Sequence, residues 1–316
     1  MAATKAAVSL RRFTEADDVA WNRLAAGARN PHFFFRRDYL GYHGRRFEDH
    51  SLMLWRSNRL LGAFPAHRCG DRLVSHAGLS FGGLIMSAEA RRADIAGFFD
   101  LLGDHMRGEC LSALEYRRAP LPYWRSAGEE DLWELAARGA RRIAVNVGEA
   151  LAPSGPMAIG RTCRNELNRA RASGFEFRND SVDACWPIIM ETLKRRHGAT
   201  AVHSPEEIRL LADRFSENIR AYSVFSGLER LASVVAFISP SVTKLQYFGW
   251  RPEAADTGAS EFLDMSIVEM ARRDGRWVDF GTSMDPEKGG LKYGLHAVKE
   301  DCGARMVLCE TYEWIL

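Results

Sequence analysis

In the stretch GGLKYGLHAVKEDCGA, residues 289–304, three basic side chains recur about one helical turn apart: Lys292, His296 and Lys299. At about 100° per residue they form one stripe, and Leu291, Leu295, Val298 and Cys302 form an apolar stripe beside it, expected to face a core. A basic flank of this kind is either a solvated border or a cationic row along a cleft wall. The border lets long side chains reach water; the row meets phosphate or a developing oxyanion. Just upstream, VDFGTSMDPEKGG sets Asp279 near the end of a strand, ahead of a glycine-bearing loop. Strand ends in α/β folds are common ligand sites, so Asp279 is a candidate polar group there; the alternative is a structural acceptor for loop amides.

Three more segments carry chemistry-bearing residues. In RPEAADTGAS, Gly258 and Ala259 stand at the mouth of a helix beginning at Ser260. The free N–H groups of such a mouth hold a donor pyrophosphate or serve an ordinary cap. In GRTCRNELNRARASGFEF, Cys163, Leu167 and Ala170 share an apolar stripe, and Arg161, Arg164, Asn165, Asn168 and Arg171 cover the opposite arc. Arginines in that number suit a phosphorylated substrate or an RNA backbone, and equally a solvated face. RRHGATAVHSPEE puts His197 and His203 in a loop before a helix capped by Ser204, with Pro205 first and Glu207 completing a capping box, which accounts for the serine without catalysis. The absence of GxSxG, P-loop, strand-borne GxGxxG and HExxH patterns argues against covalent serine chemistry, nucleotide hydrolysis and zinc proteolysis. The six cysteines form no CxxC pair and no Cys/His cluster at zinc spacing. No metal is expected, and most thiols read as small buried hydrophobes.

These residues must be positioned by alternating strands and helices. The pattern runs from a strand at AVSLRRF to a last strand at RMVLCETYEWI, which makes the chain α/β or α+β. Its 316 residues suit two domains. The run GEALAPSGPMAIG, residues 148–160, rich in Gly, Ala and Pro, reads as the linker, giving domains at 1–150 and 157–316. A weak echo joins the halves: LSFGGLIM leads into a helix and CLSALEYRRAP much as LQYFGW leads into a helix and RWVDFGTSMDP. With 46% hydrophobic and 27% charged residues and a net charge of +2, the chain is a soluble globular type whose nucleic-acid contacts, if any, are local. No apolar run approaches the roughly 18 residues of a membrane span, and the start lacks a signal-peptide h-region, so a cytoplasmic location is expected.

The second half, from GRTCRNELNRARASGFEFRND through LQYFGWRPEAADTGASEFLDMSIVEMARRDG to HAVKEDCGARMVLCETYEW, resembles the FemABX branch of the GNAT superfamily. RFEDHSLMLWRSNRLLGAFPA and SHAGLSFGGLI resemble its first domain. The resemblance implies two tandem GNAT-like domains, each a mixed, largely antiparallel sheet flanked by helices, with the active site in a cleft near their junction. Known members transfer an amino acid from aminoacyl-tRNA to an amine of a peptidoglycan precursor, and relatives use acyl-CoA. In the former a Phe-Lys pair sets its lysine at the reacting end of the aminoacyl-tRNA; HAVKEDCGA matches it with Val298 and Lys299. The long helical arm of some peptidoglycan-bridge enzymes has no counterpart.

The expected function is therefore N-acyl transfer from aminoacyl-tRNA to an amine of a cell-envelope precursor or small molecule, in which charged tRNA and a small or nucleotide-linked amine acceptor are the partners. The alternatives are an acyl-CoA-dependent transferase acting on an amino sugar or other amine, and a non-catalytic binding module. No tightly bound cofactor is expected. Lys299 would stabilise the oxyanion or leaving oxygen, and Asp279 would act as base or orient the amine. Arg161 and Arg164 would grip phosphate, with Tyr247, Lys292 and His296 lining the cleft. Gly258, Ala259 and Ser260 would hold a donor phosphate.

Overall fold

A computed structural model describes residues 8–198, 200–285 and 289–316. The chain divides into two compact units, one running through Asn146 and including Leu308–Leu316, the other Val147–Val307.

In the first unit, strands Val8–Arg12, Leu52–Arg56, Arg59–Phe64 and Ile85–Met86 pair in that order, all antiparallel. Strand Ala113–Arg117 pairs parallel with Arg72–Val74 and antiparallel with residues 311–315. The 17-residue helix Arg92–Gly108 buries Ile95, Phe98, Phe99, Leu102 and Met106, spaced at three and four residues, into a core with Leu54, Phe64, Tyr116 and Trp314. Each such side chain contributes roughly 1.5–3 kcal/mol when fully buried.

In the second unit the strand order is Glu176–Asp180, Ile219–Ser226, Glu229–Ile238, Val242–Trp250, Trp277–Thr282 and then the end of Arg141–Leu151. All of these pairings are antiparallel except that between Val242–Trp250 and Trp277–Thr282. Alternation along the strands gives the sheet two faces. Ala232, Val234, Ala236 and Ile238 meet helices Arg161–Ala172 and Ala259–Arg273 through Leu167, Leu263 and Ile267. The intervening positions meet helix Val182–His197, as where Cys185 bonds Ser223 across 3.3 Å. Since this helix runs through His197, only His203 of the two expected loop histidines stands in the loop.

Residues 148–151, expected to open a linker, are the end of an 11-residue strand, Arg141–Leu151. They pair with strand Trp277–Thr282 through Leu151↔Val278, Ala150↔Asp279 and Gly148↔Thr282. Their small residues carry little strand signal of their own, and it is the partner strand that orders them.

Candidate active site

The site is built where two strands stop pairing. Val242–Trp250 and Trp277–Thr282 run parallel for three pairs, ending at Lys244↔Asp279. There Lys244 Nζ donates to Asp279 Oδ2 across 3.1 Å. Asp279 Oδ1 accepts the Gly281 N–H at 2.7 Å, closing a tight turn in which Gly281 has φ +75°. On its other edge the same strand bulges against Arg141–Leu151 between Asp279 and Thr282. Glu149 is opposite that bulge and fully buried.

Helix Tyr293–Asp301 supplies the partners of that acid. Lys299, 8% exposed, donates to Glu149 Oε2, to the Gly281 carbonyl and to the Thr282 carbonyl, each at 3.0 Å. An ammonium has three hydrogens, and all three are used. Burial lowers the Lys299 pKa from its ordinary value, while Glu149 and, more weakly, Asp279 pull it back up. His296 places Nδ1 3.3 Å from Glu149 Oε1.

This reverses the expected facing of the helix. The apolar stripe was expected to face the core, yet Leu295 is 38% and Val298 51% exposed, and of its members Cys302 is fully buried. The basic stripe turns inward because a buried carboxylate needs charged partners more than the core needs two further aliphatic side chains.

The other expected residues are dispersed. Lys292 is the N-cap of the same helix, with Nζ 4.0 Å from Asp285. Arg161 and Arg164 lie exposed on helix Arg161–Ala172, Arg164 donating to the Ile159 carbonyl at 2.9 Å. Tyr247 is buried: Gln246 is an extra residue against Glu229–Ile238, Val235 pairing with Tyr247 and Ala236 with Leu245. That bulge turns the ring against Trp186, with its hydroxyl bonded to His203 Nδ1.

Gly258 is the left-handed N-cap of helix Ala259–Arg273, at φ +82°. A Cβ there would lie 2.1 Å from the Glu166 carbonyl oxygen, so helix Arg161–Ala172 packs directly on this mouth. Gly258 and Ala259 are buried, Ser260 half-buried, and the Ala259 N–H is taken by Thr257 Oγ1 at 3.3 Å. Glu261 beside them has its pKa raised by burial and by the negative charges of Glu166 and Asp256. One cation stands among these three carboxylates, Arg169, paired with Glu166 at 2.9 Å, so acids outnumber bases at the mouth and phosphate is disfavoured there.

Two acids escaped the sequence reading. Glu149 was hidden in the presumed linker. Asp264, half-buried on helix Ala259–Arg273, is pushed up to about 8 by burial and by Glu261, with Lys299 opposing. An acid next to the core position Leu263 was the signal for it. Beyond these, a pocket of about 230 Å³ is lined by Thr162, Cys163, Glu261, Ala297, Val298, Asp301 and Cys302. Among the described residues no group of three or more His, Cys, Asp or Glu is arranged to hold a metal ion, and no helix is long and apolar enough to cross a membrane.

Against known proteins, the Acetyltransferase (GNAT) domain family matches residues 160–289. The crystal structure of FemX superposes with a TM-score of 0.70 at 12% identity, covering 98% of this chain and 97% of that one. The chain has the FemX-like, tandem GNAT fold. A further match is a lysylphosphatidylglycerol synthetase structure. The C-terminal domain of a putative enzyme of this name from Agrobacterium fabrum has a TM-score of 0.57 at 14% identity, over 95% of this chain and 92% of that one. L-PGS from Bacillus licheniformis has a TM-score of 0.55 at 11% identity, over 80% of each chain. No curated protein sequence matches the chain. The domain match carries the reaction class, acyl transfer; the FemX-like superposition carries the fold.

Proposed function

We propose that this acyltransferase takes its acyl group from aminoacyl-tRNA and passes it to an amine of a cell-envelope precursor or small molecule. One observation carries the choice of donor: the helix mouth at Gly258, where an acyl-CoA pyrophosphate would be held, is ringed by Glu166, Asp256 and Glu261. The helix covering it instead exposes Arg161, Arg164 and Arg171 together with Asn165 and Asn168, a surface suited to an RNA backbone. The FemX likeness supports the same reading.

In the reaction the acceptor amine attacks the ester carbonyl, the new C–N bond forms, the C–O bond to the tRNA ribose breaks, and the proton lost by the amine ends on the departing ribose oxygen. No protein nucleophile is needed, because holding both reactants in register is worth effective molarities on the order of 10⁵ M or more. Lys299 exchanges one of its two neutral carbonyl partners for the oxyanion, since a bond between two charged groups is stronger. Asp279, which accepts from Lys244 and from the Gly281 N–H, orients the incoming ammonium before it gives up its proton.

The test is to incubate the protein and an amine-bearing acceptor pool with tRNA charged with radiolabelled amino acids, and in parallel with radiolabelled acyl-CoA. Label transfer from the charged tRNA that RNase abolishes is the expected result. RNase-insensitive transfer, or transfer from acyl-CoA alone, overturns the proposed donor and leaves an acyl-CoA-dependent enzyme acting on an amino sugar or other amine.

A further inference from the structure

The thiols of Cys163 and Cys302 face one another. Cys163 lies in the first turn of helix Arg161–Ala172, and Cys302 is the C-cap of helix Tyr293–Asp301. Cys302 donates its S–H to Cys163 across an Sγ···Sγ distance of 3.2 Å. Both are almost fully buried against solvent at 2% and 1%, yet both line the pocket of about 230 Å³. A water occupies about 30 Å³ of liquid, so this space admits a molecule the size of a peroxide.

The approach of the two helix ends is fixed by more than the sulfurs. The Asp301 side chain accepts the Cys163 N–H and so caps the neighbouring helix, and the Asp301 carbonyl accepts the Gly160 N–H at 2.7 Å. Gly160 is required for this: a Cβ there would sit 1.5 Å from Asp301 Oδ1. A disulfide bond is about 2.05 Å long, so the sulfurs have about 1 Å to close. Helix termini absorb such a shift more readily than helix interiors do, since they fray.

We infer that Cys163 and Cys302 are an oxidant-sensitive modification site, a dithiol that a hydroperoxide converts to a disulfide and a small thiol returns to the reduced pair. Donation to Cys163 and burial both keep the Cys302 proton in place, so Cys163 meets the oxidant first. Its sulfur attacks one peroxide oxygen, the O–O bond breaks, and a sulfenic acid and one water result. Cys302 then attacks that sulfur, expelling the hydroxyl as a second water and forming the S–S bond. Two thiols lose two electrons in all, and one peroxide gains them.

The full-length protein is treated with hydrogen peroxide, its remaining thiols are alkylated, and it is digested without reduction for mass spectrometry. The expected product is one cross-linked peptide joining Cys163 to Cys302, rising with peroxide dose to most of the chain and removed by dithiothreitol. In Cys302→Ala, and in Cys302→Ser as a second variant, Cys163 should accumulate a dimedone adduct at least tenfold above wild type. The inference is overturned if both thiols remain alkylatable after unfolding while the exposed Cys69 and Cys110 are already oxidised, or if the cross-link forms only in denatured chain.

Discussion

Among the described residues each unit buries one carboxylate completely, and the two are used differently. In the first unit Asp131 accepts the Tyr116 hydroxyl at 2.8 Å and the Arg118 Nε–H at 3.3 Å. Arg118 continues to the Gly128 carbonyl at 2.6 Å and stacks on Trp124, 4.5 Å from the ring centroid. Tyr116 in turn accepts the Leu84 N–H at 2.9 Å. Burial raises the Asp131 pKa and Arg118 restrains it. Every partner there is an internal group in a closed network. In the second unit Glu149 takes Lys299, whose remaining two hydrogens hold the carbonyls of a strand end that has stopped pairing regularly. The same device is a lock in one unit, and in the other it holds a strand end in shape with acceptors that an anion can replace. A buried charge pair becomes a candidate for chemistry when some of its hydrogen bonds end on weak, exchangeable partners.

The sharpest way to break this comparison is to remove each carboxylate's role in turn. Asp131→Ala strands Arg118 in the core and should cost about 3–5 kcal/mol of stability, read by urea unfolding, with acyl transfer per folded molecule unchanged. A loss of turnover beyond the unfolded fraction would show that the first unit's network is not simply a lock. Next, Lys299→Met should lower turnover about 10²-fold or more. By leaving Glu149 short of a partner it should also lower the melting temperature. Adding Glu149→Gln to it removes the stranded charge and should restore the melting temperature but not turnover. Recovery of both would reduce Lys299 to a structural role.

The contrast also marks what a single sequence discloses. Local signals were readable: the Ser204 capping box with Pro205 and Glu207 depends on neighbours in the chain and stands where its residues place it. Non-local signals were not. Periodicity separated the two stripes of helix Tyr293–Asp301, but only the buried Glu149, about 150 residues earlier, decides which stripe faces in. Glu149 itself lies in a Gly/Ala/Pro-rich run whose strand exists because Trp277–Thr282 pairs with it. For Tyr247, a one-residue bulge at Gln246 reverses the face, and a period-two pattern contains no sign of it.

Asp264 sharpens the comparison from the opposite side, because it is an acid of the second unit whose neighbouring acid Glu261 works against its ionisation. Its pKa is about 8 in the folded chain against an ordinary 3.8. Between those values the folded state therefore binds a proton that the unfolded state has lost. Stability should fall with rising pH across this window, by at most about 1.4 kcal/mol per pH unit, and be flat outside it. Asp264→Asn cannot ionise, so the variant should gain on wild type steadily from about pH 4 to about pH 8. The difference in melting temperature, taken at unit pH intervals from 4 to 9, measures this directly. A difference that stays constant across the series would mean that Asp264 has an ordinary or lower pKa and is ionised throughout, so that Glu261 and burial do not oppose its charge and its contrast with Glu149 disappears.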